Sequence, residues 1–517
     1  MLSTKKFHVR KWPDIFFKDD IMTVYQRSDE MMDDELRRWY TAFKAKDTRF
    51  DGRLFVGVSS TGIYCRPVCR AKLPKIENCS YYKTAASAEQ AGYRPCLICR
   101  PELAPGTSIT DAADSLARRA VYFLEKNCDN EQSLKELAAS LGCTDRHLRR
   151  VFKAHYQVSP VQYLQTCKLL LAKSLLTDTS IKIIDVAMTA GFGSLRRFNA
   201  LFKKQYRFSP TDLRKQTAGE YKSQGDITLS LGYRPPYPWS KMLDFFSQRA
   251  ITGVELIKDG KYWRTVHLIT SEKKNVYGWI CVAQDAKRNI LNVTIATSLL
   301  PVLPQVLARL RHLFDLYCDP DAVYEVLSVM NDIRPGLSAL GTRLPGCFDS
   351  FELSVRAVLG QQITIKAART LALRLVNTYG TPVQTGIKGL FFCFPFAEDI
   401  VVLDGEISEH LGPLGITSAR AKTILALARA YVQGDINFDF CAKPDIEIEK
   451  LRAIPGIGNW TAQYIAMRTM AYTDAFLQTD AGIKKALKPH SPKKLLDMAE
   501  AWRPWRSYAT INLWNSL

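Results

Sequence analysis

Leu451-Arg-Ala-Ile-Pro-Gly-Ile-Gly-Asn-Trp-Thr-Ala462 reads as the end of one helix, a glycine hairpin and the start of a second helix. Gly456 and Gly458 let the turn come close to another group, and the backbone N–H groups beyond them point outward, an arrangement suited to a phosphate. The hairpin therefore points to DNA contact without regard to sequence, and the competing reading is an ordinary helix–helix turn. Asp480 stands twenty-two residues beyond Gly458, in Phe476-Leu-Gln-Thr-Asp-Ala-Gly-Ile-Lys-Lys-Ala-Leu487. That spacing returns a carboxylate to the mouth of the hairpin. Asp480 also suits the N-cap of the helix that follows, and the two roles are compatible because a helix N-terminus steadies negative charge.

Outward from this stretch, the chain is long and basic. Its 517 residues predict three or four domains. Hydrophobic residues make up 47%, enough for packed cores, and 71 Lys plus Arg against 51 Asp plus Glu leave a formal charge of +20. Such an excess suits double-stranded DNA as a partner, since each neutralised phosphate releases counterions; the alternative is a solvated basic surface. The opening residues lack the apolar run and cleavage site of a secretory signal, and no stretch approaches the ~18 apolar residues of a membrane span. The thirteen cysteines are an odd number and mostly scattered, which favours metal or chemistry over disulfides. A cytoplasmic, bacterial-type, nucleoid-associated protein with no membrane partner is expected.

Composition divides the chain. Residues 1–32 are expected as a flexible extension and 33–102 as a compact cysteine-bearing module. Leu103–Ser108 reads as a turn-rich linker and Thr217–Asp226 as a polar one. Between them, 110–216 is helical with short polar breaks. The segment 227–340 carries the alternating, β-branched runs Ile227–Tyr233, Trp263–Thr270, Val276–Gln284 and Ile290–Thr297. From 341 to 517 amphipathic helices dominate.

Four cysteines are not scattered: Cys65-x3-Cys69-x26-Cys96-x2-Cys99. Two close pairs at a distance let two hairpins converge on one ion, and four thiolates suit tetrahedral Zn2+. Spacing alone favours a closed structural zinc clip. The surroundings, Thr61-Gly-Ile-Tyr-Cys-Arg-Pro-Val-Cys69 and Gly92-Tyr-Arg-Pro-Cys-Leu-Ile-Cys-Arg-Pro-Glu102, resemble the methylphosphotriester-accepting domain of the Ada family over about 35–102. That resemblance implies that Cys65 is both zinc ligand and sacrificial nucleophile, taking a methyl group from a DNA phosphate. Cys79, between the pairs, falls outside the pattern.

The helical stretch carries a duplication. Ser133 with Glu136 forms a capping-box pattern, Gly142 ends that helix and Thr144 caps the next, Asp145–Tyr156. A second copy runs from Ile181 through Gly191 and Ser194 to Lys204, and each copy closes on a Ser-Pro pair, Ser159-Pro160 and Ser209-Pro210. A helix, a tight turn and a basic helix is the arrangement that enters a major groove. The region resembles the AraC/XylS-type double helix-turn-helix domain over about 110–215. It departs from that family where Gln157-Val158 and Arg207-Phe208 replace the usual small residue before Ser-Pro. Candidate groove-facing residues are Arg146, His147, Arg149 and Arg150, then Ser194, Arg196, Arg197 and Asn199; for each, a phosphate contact is the competing role.

From about Ile227 to Leu517 the chain resembles the helix-hairpin-helix glycosylases, and within them the 3-methyladenine DNA glycosylase II (AlkA) family. The stretches that carry this are Tyr233–Ala250, Arg343–Thr364 and Ala501–Trp514. The resemblance makes Asp480 the catalytic aspartate, Trp460, Tyr464 and Trp514 the aromatic lining of the base pocket, and Gln362 the wedge that fills the gap left by a flipped base. It makes Gly456 and Gly458 DNA-binding and implies a monovalent cation at the carbonyls of Arg452, Ile454 and Ile457. Trp460 occupies the position where bifunctional relatives carry a lysine, so hydrolysis without strand cleavage is implied. Thr479 stands where a second aspartate occurs in the family.

The expected protein is multidomain: a small α+β zinc domain, an all-α double helix-turn-helix reader, a small α+β glycosylase lead domain and an all-α helix-hairpin-helix core. It would accept methyl groups, activate transcription with RNA polymerase and excise 3-methyladenine-type bases. Two alternatives are a regulator whose tail binds DNA without catalysis, and a repair enzyme whose front half only recruits it. No Pro-Cys-His-Arg run of O6-alkylguanine methyltransferases occurs.

Overall fold

The computed structural model describes residues 35–106, 115–128, 133–217, 226–438, 444–488 and 490–517. The expected extension over 1–32 and most of the Thr217–Asp226 linker lie outside them. Among the described residues no helix is long and apolar enough to cross a membrane.

The cysteine module pairs a helix over 35–44 with a four-stranded sheet in the order β3-β1-β2-β4. The strands are β1 (Phe55–Val58), β2 (Ile63–Cys65), β3 (Cys79–Tyr82) and β4 (Arg94–Pro95), with α1 (Ala85–Gln90) between the last two. Strand alternation sends successive side chains to opposite faces. Cys65 thus joins Phe43, Leu54, Val56, Cys69 and Cys96 on one face, while Tyr64 packs with Phe55 and Ala88 on the other. The β2–β4 pairing is parallel, so the cysteine ending β2 and the cysteine following β4 meet at one end of the sheet.

The reader comprises α2 (Ser115–Lys126), α3 (Leu134–Ser140), α4 (Asp145–Tyr156), α5 (Pro160–Asp178), α6 (Ile183–Thr189), α7 (Leu195–Tyr206) and α8 (Pro210–Thr217). The expected caps form. Ser133 Oγ accepts from the Glu136 amide while Glu136 accepts from the Ser133 amide, and Thr144 caps α4; Ser194, expected only as a groove-facing residue, also caps α7. The two copies repeat fifty residues apart: Leu148, Phe152 and Tyr156 on α4 are buried as Phe198, Phe202 and Tyr206 are on α7. The unusual residues before each Ser-Pro have a structural reason. Gln157 and Arg207 terminate α4 and α7 in the left-handed region, at φ +62° and +66°, and reverse the chain there.

The third unit is an antiparallel sheet in the order β5-β9-β8-β7-β6, built from β5 (Ile227–Gly232), β6 (Glu255–Lys258), β7 (Lys261–Ile269), β8 (Asn275–Asp285) and β9 (Ile290–Ile295). The four expected strand runs are there; β6 was not anticipated, nor was α9 (Trp239–Ser247) beside it. The remaining helices include α10 (Leu303–Leu313), α11 (Ser350–Leu359), α12 (Ser418–Gln433), α13 (Pro444–Ala453), α14 (Asn459–Thr469), α15 (Ala481–Ala486) and α16 (Arg506–Asn515).

Front and back halves are packed together. One apolar cluster runs from the helix joining the reader copies (Leu169) and the second copy (Phe198, Phe202) through the sheet (Ile227, Val293) to the C-terminal helices (Tyr508, Leu513). Over Leu103–Gly106 the expected linker is built into this seam. A Cβ on Gly232 would lie 1.9 Å from the Leu103 carbonyl oxygen, so β5 and this segment touch backbone to backbone. The Gly106 carbonyl accepts from Arg234 at 2.9 Å, and Arg53 of the cysteine module pairs with Asp319. At the centre, Glu125 on α2 accepts from Tyr163 on α5 at 3.0 Å and from Tyr317, just past α10, at 2.9 Å. A carboxylate taken out of water must find such donors.

Candidate functional site

The hairpin between α13 and α14 is held from behind. Gly456 sits at φ +90°, and a Cβ there would stand 2.1 Å from Thr423 Oγ1 on α12. Thr423 Oγ1 also donates to the Pro455 carbonyl at 2.9 Å, so α12 sets the depth of the turn. Gln361 Nε2 donates to the Gly456 carbonyl at 2.9 Å and to Thr461 Oγ1 at 3.0 Å. Its neighbour Gln362 is exposed, at φ +55°, on the same edge. Of the three carbonyls expected around a cation, that of Ile454 accepts from the Ile457 amide at 3.0 Å.

Asp480 does return to this hairpin. Its Oδ1 accepts from the Trp514 indole N–H at 2.9 Å and from the Ile483 amide at 3.0 Å; its Oδ2 accepts from the Trp460 indole N–H at 3.2 Å. The N-cap of α15 and the mouth of the hairpin are therefore the same position. Three donors from three separate helices fix the orientation of this carboxylate at the edge of the cleft. Trp460 and Tyr464 stack at 5.2 Å and 7°, and Tyr464 meets Trp514 at 6.4 Å and 51°. All four residues are half-buried, as the lining of a cleft should be. Thr479 is exposed beside them.

Around Tyr464 the structure adds residues that the sequence reading passed over. Arg468 Nη1 donates to the Tyr464 hydroxyl at 2.7 Å, and the Arg249 guanidinium lies 3.8 Å from the Phe245 ring centre. Burial would push the Tyr464 hydroxyl up, but the guanidiniums of Arg468, Arg249 and Arg356 outweigh it and set it below the ordinary tyrosine value. Burial takes Arg249 down to about 10. The signal was available as spacing: Trp460, Tyr464 and Arg468 fall four apart on one helix face, and Arg249, just past the end of α9, follows Phe245 by four.

At the other end of the chain the sulfurs of Cys65, Cys69, Cys96 and Cys99 all lie within 4.8 Å of one another. The Cys96 amide donates to the Tyr64 carbonyl at 3.0 Å, which fixes the two halves of the quartet. Backbone N–H groups of Arg66 and Ala71 point at the sulfurs of Cys99 and Cys69, at 3.3 and 3.5 Å. Four convergent thiols with amide donors at two of them fit a tetrahedral zinc ion. Cys65 is only 7% exposed, whereas Cys99 is half-buried. Arg66, next to Cys65, is tied to Asp51 and donates to the Cys99 carbonyl at 3.1 Å. Cys79 stands apart on β3, its thiol near the Lys75 carbonyl.

The reader places its expected residues outward. Arg146, His147, Arg149 and Arg150 on α4 are exposed, as are Ser194, Arg196, Arg197 and Asn199 at and along the start of α7. Arg149 lies 3.7 Å from Asp145, and Arg150 bonds His147 at 3.1 Å, so part of the first set is engaged within its own helix.

Comparison with known families and proteins matches each part. The metal binding domain of Ada matches residues 38–102, a helix-turn-helix domain 137–216, the AlkA N-terminal domain 228–349, and the HhH-GPD superfamily base excision DNA repair protein 355–499. A Mycobacterium tuberculosis protein named "Probable bifunctional transcriptional activator/DNA repair enzyme AlkA" is 34% identical over 495 residues, covering 94% of this chain and 97% of that protein. DNA-3-methyladenine glycosylase 2 of Escherichia coli is 35% identical over 55% of this chain and 96% of its own length. The bifunctional transcriptional activator/DNA repair enzyme AdaA of Bacillus subtilis is 29% identical over 38% of this chain and 90% of its own length.

The hairpin geometry makes one stability prediction. Gly456→Ala adds a left-handed penalty of about 1–2 kcal/mol and an overlap with Thr423 of about 1–3 kcal/mol. Thermal melting should show a loss of about 2–5 kcal/mol, partly restored by adding Thr423→Ala. A loss below about 0.5 kcal/mol, the size of an ordinary surface change, contradicts this packing.

Proposed function

This chain belongs to the family of the bifunctional transcriptional activator/DNA repair enzymes of the AlkA type, and on that premise we propose how its two halves divide the chemistry. The back half is a DNA glycosylase of that type. Its base pocket, in this reading, is the cleft of Trp460, Tyr464 and Trp514, and Asp480 is its catalytic carboxylate. The observation that carries this is the placement of the Asp480 carboxylate on two indole N–H groups and a helix N-terminal amide.

A base alkylated on a ring nitrogen, 3-methyladenine being the type case, carries positive charge. Flipped into the cleft, it gains about 0.5–2 kcal/mol from electron-rich ring faces. As its glycosidic C–N bond breaks, the pair of electrons neutralises the departing base, which needs no general acid. The sugar carbon left behind becomes positive, and Asp480 stabilises it while water attacks. Trp460 holds the position a lysine nucleophile would take, so no Schiff base forms and the strand stays intact. Gln362, exposed and left-handed beside the hairpin, fills the space the base vacates. Gly456 and Gly458 bring hairpin amides to a phosphate, and the carbonyls of Arg452, Ile454 and Ile457 take a monovalent cation there.

In the front half Cys65, Cys69, Cys96 and Cys99 hold zinc, which when bound keeps the sulfurs as thiolates at neutral pH. The Cys65 sulfur attacks the methyl carbon of a methylphosphotriester in line. A sulfur–carbon bond forms, the carbon–oxygen bond breaks, and the phosphate leaves as a diester anion. The thioether that remains has one negative charge fewer, which weakens repulsion from DNA. Arg146, Arg149, Arg150, Arg196, Arg197 and Asn199 then read promoter DNA in the major groove, and the bound chain recruits RNA polymerase. The setting is the bacterial cytoplasm, at the nucleoid.

Two outcomes test this. Asp480→Asn should bind alkylated duplex DNA yet lose about a thousandfold or more in single-turnover base release. DNA processed by the parent enzyme should carry abasic sites cut only by added alkali, with no borohydride-trapped adduct. If Asp480 served only as a cap, the variant would lose about 1 kcal/mol of stability and keep its chemistry. For the front half, peptide mass mapping after incubation with methylphosphotriester DNA should find one methyl group on Cys65. Methyl on Cys99 and none on Cys65 would reverse the assignment, a sharp comparison because Cys99 is the more exposed residue of the two.

A further inference from the structure

The cysteine module does more than sit beside the reader: its short helix α1 lies between the ends of both recognition helices. At its start, Thr84 Oγ1 approaches the carbonyl of Tyr156, the last residue of α4, at 3.5 Å. Near its end, the Glu89 carbonyl accepts from Gln205 Nε2 on α7 at 3.1 Å, and the Tyr93 carbonyl accepts from the same group at 3.3 Å. Arg207, which closes α7, reaches the Gly92 carbonyl, and Arg94 lies 5.7 Å from the Phe208 ring centre.

The Glu89 side chain occupies the middle of this contact. It is 5% exposed, and both of its oxygens are used. Oε1 accepts from Tyr64 Oη at 3.1 Å and from Tyr206 Oη at 3.4 Å; Oε2 accepts from Thr166 Oγ1 at 2.9 Å. These three hydroxyls come from three places. Tyr64 adjoins Cys65 on β2, Thr166 lies on the helix joining the two reader copies, and Tyr206 is the last residue of the second recognition helix. Burial pushes Glu89 up to about 8, against the pull of the hydroxyls and of Lys173. The sequence offers no local sign of this, since its partners are far away in the chain.

We propose that Glu89 is the positioning residue through which the methylated state of Cys65 reaches the double helix-turn-helix reader. This rests on the reading of Cys65 as methyl acceptor. Cys65 is buried among three other sulfurs. An added methyl group there overfills a packed site, and such sites yield by shifting backbone. The element that carries Cys65 is a three-residue strand, so Tyr64 moves with it. A displaced Tyr64 hydroxyl draws Glu89 after it, because a buried carboxyl group follows its hydrogen-bond partners. The Tyr206 bond, at 3.4 Å the longest of the three, gives way first, and the end of α7, still tethered through Gln205 and Arg207, reseats against the module. The charge lost at the sulfurs acts on phosphates directly; this contact acts on the reading helices.

The test uses the full-length, zinc-loaded chain. The parent, Glu89→Gln and the double variant Thr166→Val with Tyr206→Phe are compared. The double variant removes both reader-side hydroxyls and leaves the cysteine module untouched, so it decides the matter if Glu89→Gln folds poorly. Zinc content, methyl on Cys65 by peptide mass and melting temperature are measured, with affinity for a duplex selected from a random library by the methylated parent. Methylation should raise the parent's affinity about tenfold or more, an ordinary coupling between sites. In the variants the gain should shrink below about threefold because the unmethylated affinity rises toward the methylated value, with zinc content and methyl uptake unchanged. A merely structural role would lower all affinities alike and leave the gain intact, which overturns the proposal. A methylated parent with no gain overturns it too while leaving the acceptor reading standing, whereas a parent without methyl on Cys65 removes both.

Discussion

A carboxylate half-buried between domains is held by the donors it meets, and the seam of this molecule is built around one. Glu125 of the reader accepts one phenol from its own domain, Tyr163, and one from the glycosylase, Tyr317. Pulling the halves apart would strip Glu125 of a donor, separate Arg53 from Asp319 and open an apolar cluster shared by both. The backbone contact between Gly232 and Leu103 leaves no room for slack at the same place. The reader's position relative to the glycosylase is thus part of the fold rather than a matter of linker length.

The same device recurs with different consequences. Glu89, Glu125 and Asp480 each gather N–H or O–H donors from separate elements. Glu89 spends both oxygens on three hydroxyls inside the protein and works as a tie. Asp480 is half-buried at the edge of an aromatic cleft, so its charge is held in place yet remains available to a ligand.

What the sequence made legible was local. The cysteine spacing, the Ser133–Glu136 box, the fifty-residue repeat of the reader and the glycine hairpin all act over a few residues or a fixed period, and each is found where it was expected. Asp480 was legible twice, as cap and as partner of the hairpin, because both roles fall on one residue. The missed features depend on distant partners. Nothing near Glu89 or Glu125 announces a tyrosine from another domain. Gln361 and Gln362 are neighbours in sequence, and only the left-handed turn at Gln362 turns one toward the hairpin and leaves the other exposed. Leu103–Gly106 has the composition of a loop and becomes a packed strip because the β5 backbone lies against it. The non-glycine residues closing α4 and α7 looked like departures from a pattern and are explained once their left-handed conformation is seen.

If sensing, reading and excision belong to one body, the overall dimension of the chain in solution reports it most directly. A compact chain of this length has a radius of gyration of about 24 Å. Small-angle scattering from the full-length protein in dilute buffer should give a value close to that, with a single-peaked distance distribution. A distribution with two separated maxima and a radius well above 30 Å, the signature of two bodies on a tether, would contradict the account.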